Sequence, residues 1–215
     1  MASMSDYVVN SVIDQLLRQQ AAIAPTSVYV ALIIAENGIH ATSTTYGAGA
    51  TVTVSAEDGE YHLYTTSAGG ESAASAPAFP GMANETVVDG SVIWVEQDAN
   101  LKSGAAIVEP TIGVGGYARQ QIVSSLANWA GTQGAGSTTA SSGTSGTTSN
   151  NNTVTFPSPT SNWAASPSVA WGIALYDAAT GGNLLFWGPL APPATIPNGS
   201  PPPYIPTSTL LFFLT

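Results

Sequence analysis

The side chains able to do acid–base or metal chemistry are few and scattered in this 215-residue chain. There are two histidines, His40 and His62, and no cysteine, which removes thiolate metal sites and thiol nucleophiles. Neither histidine has a second ligand at zinc-like spacing or a nucleophile in a recognisable elbow. Each reads as a surface or packing residue. Glu57, Asp58 and Glu60 cluster as calcium ligands would, but the alternating oxygen donors and closing bidentate glutamate of a calcium loop are missing. That cluster reads as a solvated turn. Gly113-Val114-Gly115-Gly116-Tyr117-Ala118 satisfies G-x-G-x-x-A, yet a dinucleotide site wants an acidic residue about twenty positions on, and none occurs between Glu109 and Asp177. The glycines then make a turn into a strand. The sequons at Asn84, Asn151 and Asn198 are chance matches in a chain this rich in Asn, Ser and Thr. No catalytic, cofactor-binding or metal-ligating residue is assigned, and no cofactor is called for.

Trp129, Trp163, Trp171 and Trp187 fall in the C-terminal half with Phe156, Tyr176 and Phe186. Solvent-facing aromatics could stack on sugar rings, which makes a glycan-binding module one reading. At strand positions, however, such residues usually fill a core.

Charge excludes other classes. Charged residues make up 7% of the chain while 44% are hydrophobic. A surface so short of charge must be covered by Ser, Thr, Asn and Gly, or by other subunits. Arg18, Lys102 and Arg119 are the only basic side chains against thirteen acidic ones, for a formal charge of −10. No cationic stripe exists to displace counterions from a phosphate backbone or to hold an anionic membrane, so neither nucleic acid nor membrane is an expected partner. No apolar run approaches the ~20 residues needed to span a bilayer, and Met1–Gln20 lacks the basic start and apolar centre of a secretory signal. Synthesis in a cytosol is the expectation.

The elements that must position these residues are mostly strands. In Ser5–Gln20, Val8, Val9, Val12, Ile13, Leu16 and Leu17 form i, i+4 rows on one side of a helix, capped by Ser3 or Ser5 and stopped before Pro25. Such a helix either covers one end of a β core or docks on a neighbouring subunit. Ser27–Ala35 (SVYVALIIA) reads as a buried strand. Ala50–Ser55, Tyr61–Thr65 and Ser91–Glu96 are strand-like, with Asp58-Gly59 and Asp89-Gly90 as tight turns. Ser137–Asn152 contains only Gly, Ser, Thr, Ala and Asn and cannot fix itself, so it is expected to be mobile until neighbouring subunits hold it. Thr153–Phe156, Val169–Asp177 and Asn183–Gly188 follow as strands, with a hairpin over Asp177–Gly182. Prolines exclude helix over Ala191–Pro206, and Thr209–Leu214 closes the chain as an apolar strand. The sum is a mainly β, antiparallel sandwich, jelly-roll-like, with one N-terminal amphipathic helix. Residues 1–36 and 108–215 form its core and 37–107 an inserted β module.

Several of these segments together resemble a family of tailed-bacteriophage proteins labelled tail fibre or minor structural protein. The resemblance rests on Pro25–Leu32, Gly115–Arg119 (GGYAR), Asn128-Trp129, Asn152–Pro157, Trp171–Ile173 and Tyr176–Phe186 (YDAATGGNLLF). Within the insert, Tyr61–Glu96, with PAFPG and VVDGSVIWVE, is similar to small β modules of phage tail and decoration proteins. The resemblance implies no catalytic residues. It implies a virion structural protein, with capsid decoration or cementing as the leading expectation and a tail fibre, collar or baseplate location as the alternative. Partners would be the major capsid protein or tail proteins, and further copies of the chain in a homo-oligomer, with a trimer as the expected state. Val9, Ile13, Leu16, Leu17, Trp129, Trp187 and Phe212 are the candidate interface residues.

Overall fold

The computed structural model describes residues 3–163 and 169–213. Leu214, the end of the expected closing strand, lies outside them. In chain order the elements are β1 (Ser3–Met4), α1 (Asp6–Arg18), β2 (Ser27–Ala35), β3 (Thr45–Tyr46), β4 (Thr51–Ser55), β5 (Tyr61–Thr65), β6 (Gly70–Glu71), β7 (Thr86–Asp89) and β8 (Val92–Glu96). There follow α2 (Asp98–Lys102), β9 (Gln120–Val123), β10 (Thr147–Ser149), β11 (Val154–Thr155), β12 (Val169–Tyr176), β13 (Leu184–Thr195), β14 (Tyr204–Ile205) and β15 (Leu211–Phe213). The fold is mainly β with antiparallel sheets and an N-terminal helix. The five-residue α2 was not anticipated from the sequence. Among the described residues no helix is long and apolar enough to cross a membrane.

The central sheet has the order β1-β13-β12-β2-β9, which places the two most apolar strands, β12 and β2, inside it. Both of its faces are covered. One packs Val30, Leu32, Ile173 and Leu175 against Tyr117 from the turn before β9 and against Phe156, Trp163 and Phe212 from the segments around β11 and β15. The other packs Ala31, Ile33 and Trp171 against Leu63 of β5 and Leu101 of α2. Burial on two sides explains why SVYVALIIA is continuously apolar where a half-exposed strand would alternate. A second sheet, β4-β5-β8-β7, has its own core of Val52, Tyr64, Phe79, Val92 and Trp94.

Ser5 caps α1: its Oγ accepts from the Val8 amide at 3.3 Å, with Asp6 in the first turn and Arg18 in the last. The helix ends at Arg18, two residues short of the expected Gln20, where Gln19 takes a left-handed conformation. Strand β13 runs seven residues past the expected Gly188 despite its prolines. It can do so because β1 pairs only with Phe186 and Trp187, so the later stretch is an edge, and because the pairing with β12 skips between Ala170 and Gly172. The polar tract is held by its own chain. β10 pairs with β15, Thr132 and Gln133 bond Gly143, Ser145, Thr139 and Ala140, and fully buried Asn150 donates to the carbonyls of Asn152 and Pro206 while accepting from the Leu210 amide.

Candidate functional site

Three clusters collect the side chains with chemical potential. The first is built on the GGYAR segment. Gly115 and Gly116 adopt left-handed conformations in a tight turn, and a side chain on Gly115 would collide with Ser161. The turn delivers Tyr117 to the core, where its hydroxyl accepts from the Leu32 amide at 3.0 Å and donates to Glu109 at 2.8 Å. Two residues on, the Arg119 guanidinium grips both oxygens of Glu109 at 2.8–3.1 Å and donates through Nη1 to the carbonyls of Ala178 (2.9 Å) and Gly181 (2.7 Å). It also lies 3.6 Å over the Tyr176 ring. One cation therefore ties the GGYAR turn to the β12–β13 hairpin. That hairpin is preset by Asp177, whose carboxylate accepts from the Asn183 amide and side chain. This cluster is closed, with every strong group facing another, and its role is to hold the fold.

A consequence is measurable. Tyr117→Phe removes the acceptor of the Leu32 amide, which sits in a strand buried on both faces. The variant should lose about 1–3 kcal/mol in urea denaturation with an unchanged denaturant slope.

The second cluster lies in the insert. His62 of β5 places Nδ1 3.0 Å from Glu96 and 3.6 Å from Asp98, and Nε2 3.1 Å from Asp58. Asp98, Glu96 and Asp58 lift the His62 imidazole to about 10, against its burial. Glu96 is fully buried at the end of β8, and burial pushes its carboxyl up. A third group centres on Asp89, which accepts from the Ala73 amide (2.9 Å), Trp94 Nε1 (3.0 Å) and His40 Nε2 (2.7 Å). His40 packs among Tyr46, Phe79 and Trp94, as a packing histidine would. The Glu57–Glu60 segment is a turn, in which Asp58 accepts from the Glu60 amide at 2.9 Å.

The expected interface residues divide. Trp187 and Phe212 are buried by this chain itself, at 5% and 4% exposure, and Trp129 is half-buried against Phe212. Val9 is half-buried. Ile13, Leu16 and Leu17 stand open at 46%, 71% and 79%, and Val12 and Tyr7 are exposed too. Only Val8 of the helix packs on the central core. Trp94, Trp163 and Trp171 are buried too, so no tryptophan stands fully open to a sugar.

The comparison with known families bears directly on this arrangement. A family model described as Podophage GP4 fiber I protein gp80 matches residues 3–100 and 98–211. The chain belongs to that fibre family. No curated protein matches it. As a member of a phage fibre family it is a structural component of the virion, and it meets other virion proteins there. In this fibre-family chain the resemblance segments are the joints of the scaffold: GGYAR and YDAATGGN meet at Arg119, and Asn128, from the N-W pair, accepts from Asn152 at 2.8 Å.

The His62 cluster escaped sequence reasoning because Glu96 and Asp98 lie 34 and 36 residues beyond the histidine. The only signal was indirect. An Asp58-Gly59 hairpin brings β5 beside β4, but it is the pairing of β5 with β8 that sets Tyr64 opposite Glu96.

Proposed function

We propose that this protein is a non-enzymatic subunit of a phage fibre, assembling as a homo-oligomer, with a trimer as the expected state, and docking through the apolar face of α1. The observation that supports this reading is the helix itself. Its cap and charges stabilise a 13-residue helix whose Ile13, Leu16 and Leu17 gain nothing from this chain's core. Large apolar groups kept together and exposed are a surface made to be covered. Residues 37–107 form a module set on the opposite face of the central sheet from β10 and β15, where its Leu63 and Leu101 cover that face. Fibre-family membership favours a fibre position over the capsid decoration that was the leading expectation. The same apolar face would serve a cementing role, so copy number separates the two. Quantified bands from purified virions should give a low multiple of three for a fibre, whereas on the order of hundreds would indicate the capsid.

The double variant Leu16→Asp/Leu17→Asp tests the docking face. Both side chains are exposed, so the isolated chain should unfold within about 0.5 kcal/mol of the parent. It should nonetheless lose its oligomer in light scattering and fail to enter particles. Because few charges take part, the parent's assembly should resist moderate salt. A double variant that assembles normally, or a parent released by salt alone, would sink the proposal.

A further inference from the structure

We propose that His62, Glu96 and Asp98 form a site for one divalent transition cation of the zinc class, which ties β5, β8 and α2 of the inserted module together. Their ligand atoms, one from each residue, lie within 4.8 Å of one another. His62 Nδ1 stands 3.0 Å from Glu96 Oε1 and 3.6 Å from Asp98 Oδ1. Ligands about 2.1 Å from a common ion are separated by roughly 3.0–3.4 Å, so the two His62 pairs already stand near that spacing, and the three groups would close inward on the ion from within 4.8 Å of one another.

The groups behind the ligands are arranged as metal sites arrange them. The second ring nitrogen of His62 is engaged by Asp58 at 3.1 Å, the carboxylate partner that fixes a ligating imidazole. The Glu96 carboxylate is oriented by the Asp98 amide, at 2.9 and 3.0 Å to its two oxygens. Glu96 is fully buried, while the Asp98 side chain is 32% exposed. The Asp98 carboxylate is thus the ligand through which the cluster meets solvent. Charge points the same way. No lysine or arginine occurs between Arg18 and Lys102, and among the described residues His62 is the one basic group paired with these carboxylates. One nitrogen and two carboxylate oxygens suit zinc better than calcium or magnesium, which take six or more oxygens.

Such an ion would join β5, the end of β8 and the start of α2. Leu63, beside His62, and Leu101 of α2 both pack on the central sheet, so the ion would hold the two insert elements that cover that sheet in register with each other.

The test uses the full-length chain stripped with a chelator and titrated with zinc chloride by calorimetry. We expect one zinc per chain and a raised melting temperature. Asp98→Asn, at a partly exposed helix start that tolerates asparagine, should weaken binding about 10–100-fold, while Glu57→Gln leaves it unchanged. A readout independent of any variant is the imidazole nitrogen spectrum of the parent. Zinc should shift His62 Nδ1 and leave His40 unmoved. Absence of saturable one-to-one binding, equal binding by Asp98→Asn, or a zinc response at His40 instead of His62 would each overturn the assignment. None of these outcomes touches the α1 docking proposal, which rests on a different surface.

Discussion

Arg119→Ala should lower the unfolding free energy by about 3–5 kcal/mol, the largest single loss expected from any charged position in the chain. The guanidinium is 5% exposed and Glu109 14%, so truncation strands a carboxylate away from water. It also leaves the Ala178 and Gly181 carbonyls without their donor and uncovers Tyr176. Arg119→Lys should recover only part of this, because an ammonium cannot grip both Glu109 oxygens and two carbonyls on the far side at once. The discriminating measurement is a double-mutant cycle with Glu109→Ala. Once the arginine is gone, removing the carboxylate should cost little, giving a coupling well above the about 0.5 kcal/mol scatter of independent sites. Additive losses would show that the pair is incidental.

That joint also marks how far the sequence could be read. The strands were legible because burial writes itself into residue type: β2 and β12 are apolar almost without interruption, and the Asp177–Gly182 turn carries its own glycines. The N-terminal helix was legible from its cap and its i, i+4 rows. What could not be read was partnership across long separations. Nothing near Arg119 announces that its partners lie ten residues before it and about sixty after it. Trp187 and Phe212 have the composition of an interface, and only the layering of the central sheet turns them inward. The polar tract carries no apolar side chain beyond alanine, so its anchoring by Thr132, Gln133 and β15 leaves no trace in its own composition. The candidate site was invisible for the same reason. His62, Glu96 and Asp98 become neighbours only after β5 pairs with β8.

Asp89→Asn should cost about 2–4 kcal/mol at neutral pH, and the cost should depend on acidity. Asp89 is 1% exposed at the tip of the β7–β8 hairpin, and its two oxygens serve three donors: the Ala73 amide, Trp94 Nε1 and His40 Nε2. Burial alone would push its carboxyl up, but the hydrogen bonds from Trp94, His40 and the Ala73 amide outweigh it and hold the group below the usual carboxylate range. The other ionisable group against it is Tyr46, whose phenol is raised chiefly by burial. A carboxyl depressed on folding contributes stability that is fully present above its unfolded value of about 3.9 and is lost as pH falls through the folded value. The gap between parent and variant should therefore stay constant from neutrality down to about pH 5 and narrow below about pH 4, as the parent takes up a proton and its carboxyl becomes neutral like the asparagine amide that replaces it in the variant. Urea unfolding at a series of pH values reads this gap directly. A gap that is flat across the acid range would mean that Asp89 acts through shape alone, because a charge-assisted bond cannot survive protonation of its acceptor unchanged.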